Sequence, residues 1–375
     1  MKTICLNMIV KNENPVIRRC LEALKDHIDY WVIVDTGSTD GTQEIIKECM
    51  KGLPGELHEH PWKDFAYNRN IALKLAEGKS DYLLLADADE IFHFSPLFDK
   101  NQLDQYYYLL KVTSSSECLY SPKLIKDDPL WKWTHVLHEF IQYDGYVEGG
   151  IFSEICIESV QDGARSRDPR KNERDIQILE NAIQEDPGNA RYHFYLARSY
   201  EIAKNFKAAL NRYAIRADME GDLDERFWAL FSVGLMQERL QMDPKIYLKS
   251  YDKAYQFDST RAEPLERIAN YYFQNSQPTI AYSLMKEALT LPTPTPLTSG
   301  YFSWVYDFAI YSVCADCAVF LGKLEEAKEL YQKILKKENC PQSLSRHILF
   351  QLQKIETLLG NNQRAVYNNR HAQTL

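Results

Sequence analysis

At 375 residues the chain is long enough for two domains, and a hydrophobic content of 45% can supply each with a core. A formal net charge of -9 argues against a nucleic-acid partner, because that affinity depends on Lys and Arg neutralising phosphates. Eight cysteines, at 5, 20, 49, 118, 156, 314, 317 and 340, form no compact framework, so reduced intracellular thiols fit best. Cys314-Ala315-Asp316-Cys317 lies in an apolar helical pattern without a nearby His and reads as packed core thiols, not a metal or redox pair.

The first segment, 3–10, is too short for a signal-peptide core and reads as a strand. No window approaches the ~20 apolar residues of a membrane span. A cytoplasmic location is expected, and a peripheral membrane contact is compatible with it. Up to about residue 160, short apolar runs alternate with amphipathic stretches: strands at 30–35, 56–60 and 81–86 follow the first, and helices fall at 15–27, 40–51 and 65–77. Right-handed crossovers turn this βαβαβαβ order into a mostly parallel, Rossmann-like sheet with its ligand crevice at the carboxyl ends of the strands. Those ends carry Lys11-Asn12-Glu13, Asp35-Thr36-Gly37-Ser38 and Asp87-Ala88-Asp89. Further strands, some antiparallel, are expected at 105–112, 117–126 and 151–157.

Charged, Pro-containing Asp168-Pro169-Arg170-Lys171 marks a boundary, giving an α/β domain over 1–168 and an all-α domain over 169–375. In the second domain helix pairs recur: 190–203 with 206–219, 227–240 with 244–257, 263–274 with 279–291, and 305–321 with 324–336. Small residues such as Ala197, Ala209, Ala269, Ala281, Ala288 and Ala327 sit where helices would approach closely. The stretch from Gly322 to Tyr331 is like the turn and second helix of a tetratricopeptide repeat, and the pairs begin about 35 residues apart, near that repeat's ~34-residue period. Such arrays leave a concave face that often takes a peptide or protein partner.

Asp87 and Asp89, at the mouth of the apolar run Tyr82–Ala86, are two oxygen donors that one hard divalent cation can share. In isolation the triplet is more often a solvated strand-to-loop turn. Asp35 ends another strand, where a carboxylate can accept hydrogen bonds from a ribose hydroxyl or a base N–H; Gly37 and Gly41 let the chain turn into the next helix. Trp131 and Trp133, two apart, share a face that is either an acceptor wall or core, whereas the tyrosines at 106, 107, 108, 120 and 143 read as core side chains.

Four blocks, Met8–Glu13, Asp35–Thr42, Trp62–Asn70 and Asp87–Glu90, stand in the order seen in family 2 glycosyltransferases of the GT-A fold. The likeness is densest over the first 95 residues, and it extends more loosely through His138-Glu139 into the first helix pair. It resembles members with tetratricopeptide-like C-terminal helices, among them lipopolysaccharide-core transferases and bacteriocin S-glycosyltransferases. This resemblance implies a metal-dependent, inverting transfer from a nucleotide-diphospho-sugar, with a UDP-sugar favoured, to a glycan, lipid-linked or peptide acceptor. Asp35 would contact the donor nucleoside, and Val10, Asn12 and Glu13 would line its pocket. Asp87 and Asp89 would hold Mn2+ or Mg2+ on the diphosphate, Asp89 more directly. Arg69 would face the diphosphate, its alternative being an ion pair with Asp35 or Asp64. Glu139 is the favoured general base, with His138 orienting it or completing the metal shell. One departure stands out: family members often carry a histidine just before the Asp-Gly-x-Arg-Ser stretch, and Glu158–Ser166 has none. The third ligand then falls to His138, water or the diphosphate itself.

Two other classes compete. A tetratricopeptide-type interaction protein with a catalytically impaired sugar-nucleotide domain would not need to keep both Asp35 and Asp87-Ala88-Asp89. A nucleotidyltransferase would need a Gly-rich basic loop after the first strand, which Lys11-Asn12-Glu13-Asn14-Pro15 does not offer.

Overall fold

The computed structural model describes residues 1–114, 118–294 and 302–372, and it divides into two compact units, Met1–Arg212 and Tyr213–Leu375. In the first unit, β1 (Ile4–Val10), β2 (Tyr30–Asp35), β3 (Gly55–Glu59) and β4 (Tyr82–Leu85) alternate with α1 (Asn14–Leu24), α2 (Thr42–Cys49) and α3 (Phe65–Ala76). β5 (Glu90–Phe94), β6 (Tyr107–Thr113), β7 (Cys118–Lys126) and β10 (Gly149–Ser159) complete one eight-stranded sheet of order β3-β2-β1-β4-β7-β6-β10-β5. The separate hairpin of β8 (Trp131–Thr134) and β9 (Phe140–Tyr143) stands beside it.

The β3-β2-β1-β4 half is parallel, and β7 pairs antiparallel with both β4 and β6. β1 and β4 sit centrally with both faces covered, which is why they read as near-continuous apolar runs rather than as alternation, β1 being broken only by buried Asn7, whose side-chain amide donates to the Ala72 carbonyl. Helix α1 lays Val16, Ile17, Cys20, Leu21 and Leu24 on the sheet, an i, i+1, i+4, i+5, i+8 stripe, with Pro15 in its first turn. Asp64 caps α3 by accepting from the Tyr67 amide at 2.7 Å. That cap fixes where α3 begins and hence where Arg69 and Asn70 fall.

The predicted first four strands and three helices match these elements to within a few residues. Three strands were not foreseen: β5, which pairs antiparallel with β10, and the four-residue strands β8 and β9. Of the predicted strand 117–126, residue 117 lies outside the described residues. After the short turn α4 (Ala164–Arg167), α5 (Lys171–Glu185) and α6 (Ala190–Ile202) pack through Leu179, Ala182, Ile183, Tyr192 and Leu196 around Leu137, which anchors the β8–β9 loop.

Helix α7 (Phe206–Ala217) carries the division between the units. The second unit continues with α8 (Leu223–Arg239), α9 (Pro244–Phe257), α10 (Glu263–Gln274), α11 (Pro278–Ala288), a π-helical turn (Val305–Ala309) leading into α12 (Ile310–Phe320), α13 (Leu324–Leu335) and α14 (Gln342–Ala372). Consecutive helices pack in pairs, and Ala269, Ala281, Ala288 and Ala327 are buried at their contacts. Gly322 adopts a φ of 71° in the α12–α13 turn, a left-handed conformation that costs glycine no Cβ clash. Cys314 and Cys317 are fully buried in this core, where burial pushes their thiols up to about 11 and about 12, so they behave as small apolar side chains. Among the described residues, no helix is long and apolar enough to cross a membrane.

Candidate active site

The carboxyl ends of β1, β2 and β4 lie side by side, and the sequence-predicted residues gather there. Val10 and Asp35 are register partners at the last rung of the β1–β2 ladder, and the Val10 carbonyl accepts from both the amide and the hydroxyl of Thr36 at 2.9 and 3.1 Å. Asp35 is fully buried. Its Oδ1 accepts the amides of Gly37 and Ser38, both at 2.7 Å, while its Oδ2 is buried with no hydrogen-bond partner. Gly37 at φ 107° and Gly41 at φ 88° make the turn that aims those amides back at the carboxylate. Asn12, itself at φ 58°, ties the two loops together: its Oδ1 accepts the Thr39 amide at 2.8 Å and its own amide donates to Ser38 Oγ at 2.9 Å.

The end of β4 is built around the turn at 162–164. Gly163 donates its amide to Asp89 Oδ2 at 3.2 Å, and Ala164 donates to Glu13 Oε2 at 2.9 Å, so one backbone turn holds two carboxylates. A Cβ on Gly163 would come within 3.0 Å of the Asp89 carboxylate and 3.2 Å of that of Glu13. Arg19 pairs with Asp162 and donates to the Asp89 carbonyl at 3.3 Å, fixing this turn against α1. Burial and the charge of Asp87 raise the Asp89 carboxyl above its usual range, and burial raises Glu13.

Asp87 is held differently. Arg69 reaches its Oδ1 at 2.5 Å and Lys123 its Oδ2 at 3.1 Å. Burial pushes the Asp87 carboxyl up, but the two cations more than reverse this and hold it below the usual range. The pairs extend outward on both sides: Arg69 Nε donates to Glu139 Oε1 at 2.8 Å, and Lys123 Nζ lies 2.7 Å from Glu90 Oε1. Glu139, Arg69, Asp87, Lys123 and Glu90 therefore alternate in sign along one chain of contacts. The Arg69 guanidinium also lies 4.7 Å from the centre of the Trp133 ring, and Asn70 brackets Trp133 by bonding its amide and carbonyl at 2.9 and 2.8 Å. Arg69 thus meets neither Asp35 nor Asp64, and its ion-pair partners lie 18 and 70 residues away in sequence. Lys123 carries no motif. Its signal is a cation placed between Pro122 and the apolar Leu124-Ile125 near the end of β7.

Trp131 faces the core, edge-on to Tyr107 and Tyr143 at 6.0 and 5.0 Å, while Trp133 supports Arg69. Glu139 and His138 part company. Glu139 turns inward to Arg69, whereas His138, at φ 54°, stacks its ring on Tyr195 at 3.9 Å and offers its carbonyl to Arg191 at 3.0 and 3.2 Å. The dehydrated stacked face and, after it, the charges of Arg198, Arg165, Arg191 and Lys171 push the imidazole down to about 3. Among the described residues no three His, Cys, Asp or Glu side chains form a ready metal shell, so the structure does not bring His138 to Asp87 and Asp89. A cationic neighbourhood also disfavours a metal ligand there.

A parallel βαβ crevice with a buried acid at the end of β2 and an acidic pair at the end of β4 is the architecture of a GT-A nucleotide-sugar domain. Residues 5–100 match the model of glycosyl transferase family 2, so the chain carries a family 2 glycosyltransferase domain, followed by tetratricopeptide-like helix pairs. It is similar to a TPR repeat-containing protein of Synechococcus elongatus, 32% identical over 149 residues that make up 38% of this chain and 36% of that one. It is also similar to the SPbeta prophage-derived glycosyltransferase SunS of Bacillus subtilis, 23% identical over 289 residues, 68% of this chain and 63% of that one. The chain thus spans less than two thirds of the length of either relative. Among solved structures, a thermophilic TPR protein of Thermus thermophilus aligns with a TM-score of 0.34 and 19% identity over 49% of this chain and 91% of that one.

Proposed function

We propose that the chain is a metal-dependent, inverting glycosyltransferase that moves a sugar from a nucleotide-diphospho-sugar, a UDP-sugar being favoured, to a glycan, lipid-linked or peptide acceptor. The observation that carries this reading is the unpartnered Oδ2 of buried Asp35 in the same crevice as the acidic end of β4. A buried acceptor without a donor is costly, so this oxygen is poised for an N–H or O–H that arrives with a ligand, such as the N3–H of a uracil.

The donor set fits a hard cation. Glu13, Asp87, Asp89, Glu90 and Glu139 crowd the region, while Arg69 and Lys123 are taken up by Asp87, Glu139 and Glu90, and Arg19 by Asp162, so an anionic diphosphate would be repelled without added positive charge. Asp89, whose carboxylate forms no ion pair among the described residues, would hold the ion directly, and Asp87, already engaged twice, would act with it; diphosphate oxygens and water would supply the remaining positions. A bound Mn2+ or Mg2+ would stabilise the charge that develops on the leaving nucleoside diphosphate.

The acceptor hydroxyl oxygen attacks the anomeric carbon as the bond to the diphosphate breaks, and its proton passes to a carboxylate. In this reading that carboxylate is Glu139, whose Oε1 accepts from Arg69 Nε while Oε2 takes the proton. The pairing links the base through Arg69 to Asp87, so one side chain sets the orientation of both. Replacing Asp89 by Ala tests the assignment: metal-stimulated donor turnover should vanish in a protein that stays folded, and near-normal transfer would sink the proposal. Should wild-type protein bind UDP-sugars with Mn2+ yet neither hydrolyse nor transfer them, the reading of an interaction protein with an impaired domain takes over.

A further inference from the structure

Against a chain of net charge -9, one cluster runs the other way. Four cationic side chains, Arg165, Arg191, Arg198 and Lys171, act on the His138 ring. They come from three places: Arg165 from α4, Lys171 from the start of α5, and Arg191 and Arg198 from α6, one face of which they share. Tyr195 forms the wall between them. His138 stacks on its ring at 3.9 Å, and the Arg191 and Arg198 guanidinium groups lie 4.7 and 5.8 Å from its centre. Arg165 is anchored by Asp175 at 2.5 Å and by the Phe65 ring at 4.7 Å. Neither Lys171 nor Arg198 forms an ion pair among the described residues, and Arg198 is exposed, as is His138 apart from the face it stacks on Tyr195.

We propose that this cluster binds a phosphate group carried by the acceptor, which makes the acceptor a phosphomonoester. The inference rests on the glycosyltransferase reading. Position separates the cluster from the donor side. The nucleoside is read at Asp35 on β2 and the diphosphate at Asp89 on β4, whereas His138 lies past Arg69 and Glu139 in the chain of contacts, on the α5–α6 flank. Consecutive residues then serve consecutive tasks: Glu139 takes the hydroxyl proton and His138 sits at the floor of the anion site. Planar guanidinium groups on aromatic rings are held in orientation, and such a fork suits phosphate oxygens. A neutral imidazole adds an N–H donor without adding repulsion among the cations.

The test uses the full chain and a Lys171→Ala/Arg198→Ala double variant, with ring resonances of His138 followed by NMR. Glucose 6-phosphate should shift them saturably and glucose should not, and the double variant should bind glucose 6-phosphate about tenfold or more weakly. Equal responses to glucose and glucose 6-phosphate, or an unaltered affinity in the variant, would overturn the proposal. UDP affinity measured on the same two proteins should be equal; a matching loss there would assign the cations to the donor diphosphate and overturn it as well, while leaving the glycosyltransferase reading intact. Sedimentation with phosphatidylcholine vesicles, with and without an isoprenyl phosphate, distinguishes the source of the phosphate. Variant-sensitive capture only by the isoprenyl phosphate vesicles assigns a lipid-linked acceptor, and saturable glucose 6-phosphate binding without capture assigns a soluble one.

Discussion

Replacing Asp35 by Asn separates ligand recognition from folding. In the parent protein Oδ1 takes two amide hydrogen bonds at 2.7 Å, from Gly37 and Ser38, and Oδ2 takes none. An asparagine keeps the carbonyl oxygen for both amides and places an NH2 where Oδ2 was. Apo stability should therefore change little, since a buried unpaired acceptor is exchanged for a buried unpaired donor of the same shape. The nucleoside, however, now meets a donor with its own N–H. A hydrogen bond to a charged acceptor contributes about 1.5–3 kcal/mol, and losing it corresponds to roughly 10- to 150-fold weaker binding. Calorimetric titration of UDP with Mn2+ measures that loss, and thermal melting of the unliganded protein checks the fold. A UDP affinity within about twofold of wild type, in a variant with an unchanged melting temperature, would refute the reasoning because the orphan oxygen would then have no ligand.

Three further outcomes follow from the same contacts. Arg69→Ala strips the cation between Asp87 and Glu139; Arg69 and Glu139 have side chains only 11% and 13% exposed, and the loss should cost about 3 kcal/mol in urea unfolding. The Asp87 carboxyl, held low in the parent by Arg69 and Lys123, contributes stability that is present above its unfolded pKa and lost as pH falls through its folded one; in the variant, whose folded value lies closer to the unfolded one, this acid-dependent loss should be smaller and be complete at a higher pH. Gly163→Ala should crowd the carboxylates of Asp89 and Glu13, raising the Mn2+ concentration needed for half-maximal donor turnover while stability stays within about 0.5 kcal/mol; an unaltered metal requirement would count against a cation at Asp89. The His138 ring, held near about 3 against an ordinary 6.5, should stay neutral from pH 8 down to pH ~4 when followed by NMR. Because the folded value is the lower one, its stability contribution is complete above 6.5 and falls away toward 3; a midpoint near 6.5 would contradict the cationic setting.

Much of the crevice was legible because its parts are local. An apolar run ending in Asp, followed within two residues by Gly, encodes a buried strand and a left-handed turn, and both β2 with Gly37 and the order βαβαβαβ follow from such short-range rules. The helix pairs were legible for a related reason: Ala269, Ala281 and Ala327 mark close approach whatever the partner. Strands β8 and β9 were hidden by their length, since four residues carry too little alternation to stand out in an aromatic-rich segment. Helix α5 was hidden by its polarity, for it buries only Asp175, Leu179, Ala182 and Ile183 of 15 residues.

The partners of Arg69 could not be read from sequence because they are set by topology. A planar cation on α3 was visible, and Asp87 and Glu139 were visible, yet only the packing of α3 against β8, clamped by Asn70 on Trp133, puts the guanidinium between them. This arrangement also bears on what the Asp-x-Asp pair does. The family resemblance already makes Asp89 the more direct ligand, and the contacts give that inequality a physical basis: Asp87 is neutralised from both sides by Arg69 and Lys123, while Asp89 accepts one backbone amide and its carboxyl is raised by burial and by Asp87. An acid that is already paired twice exchanges poorly into a metal shell, because each contact it gives up leaves a partly buried cation behind. Asp87 is thus best placed to hold Arg69, and through it Glu139, in register with Asp89, which the proposed function makes the more direct metal ligand. A loss of activity on replacing Asp87 should accordingly appear in turnover through a misplaced base with Mn2+-dependent UDP binding kept, whereas replacing Asp89 should remove the Mn2+ dependence of UDP binding as well, and comparing the two Mn2+ titrations separates the roles.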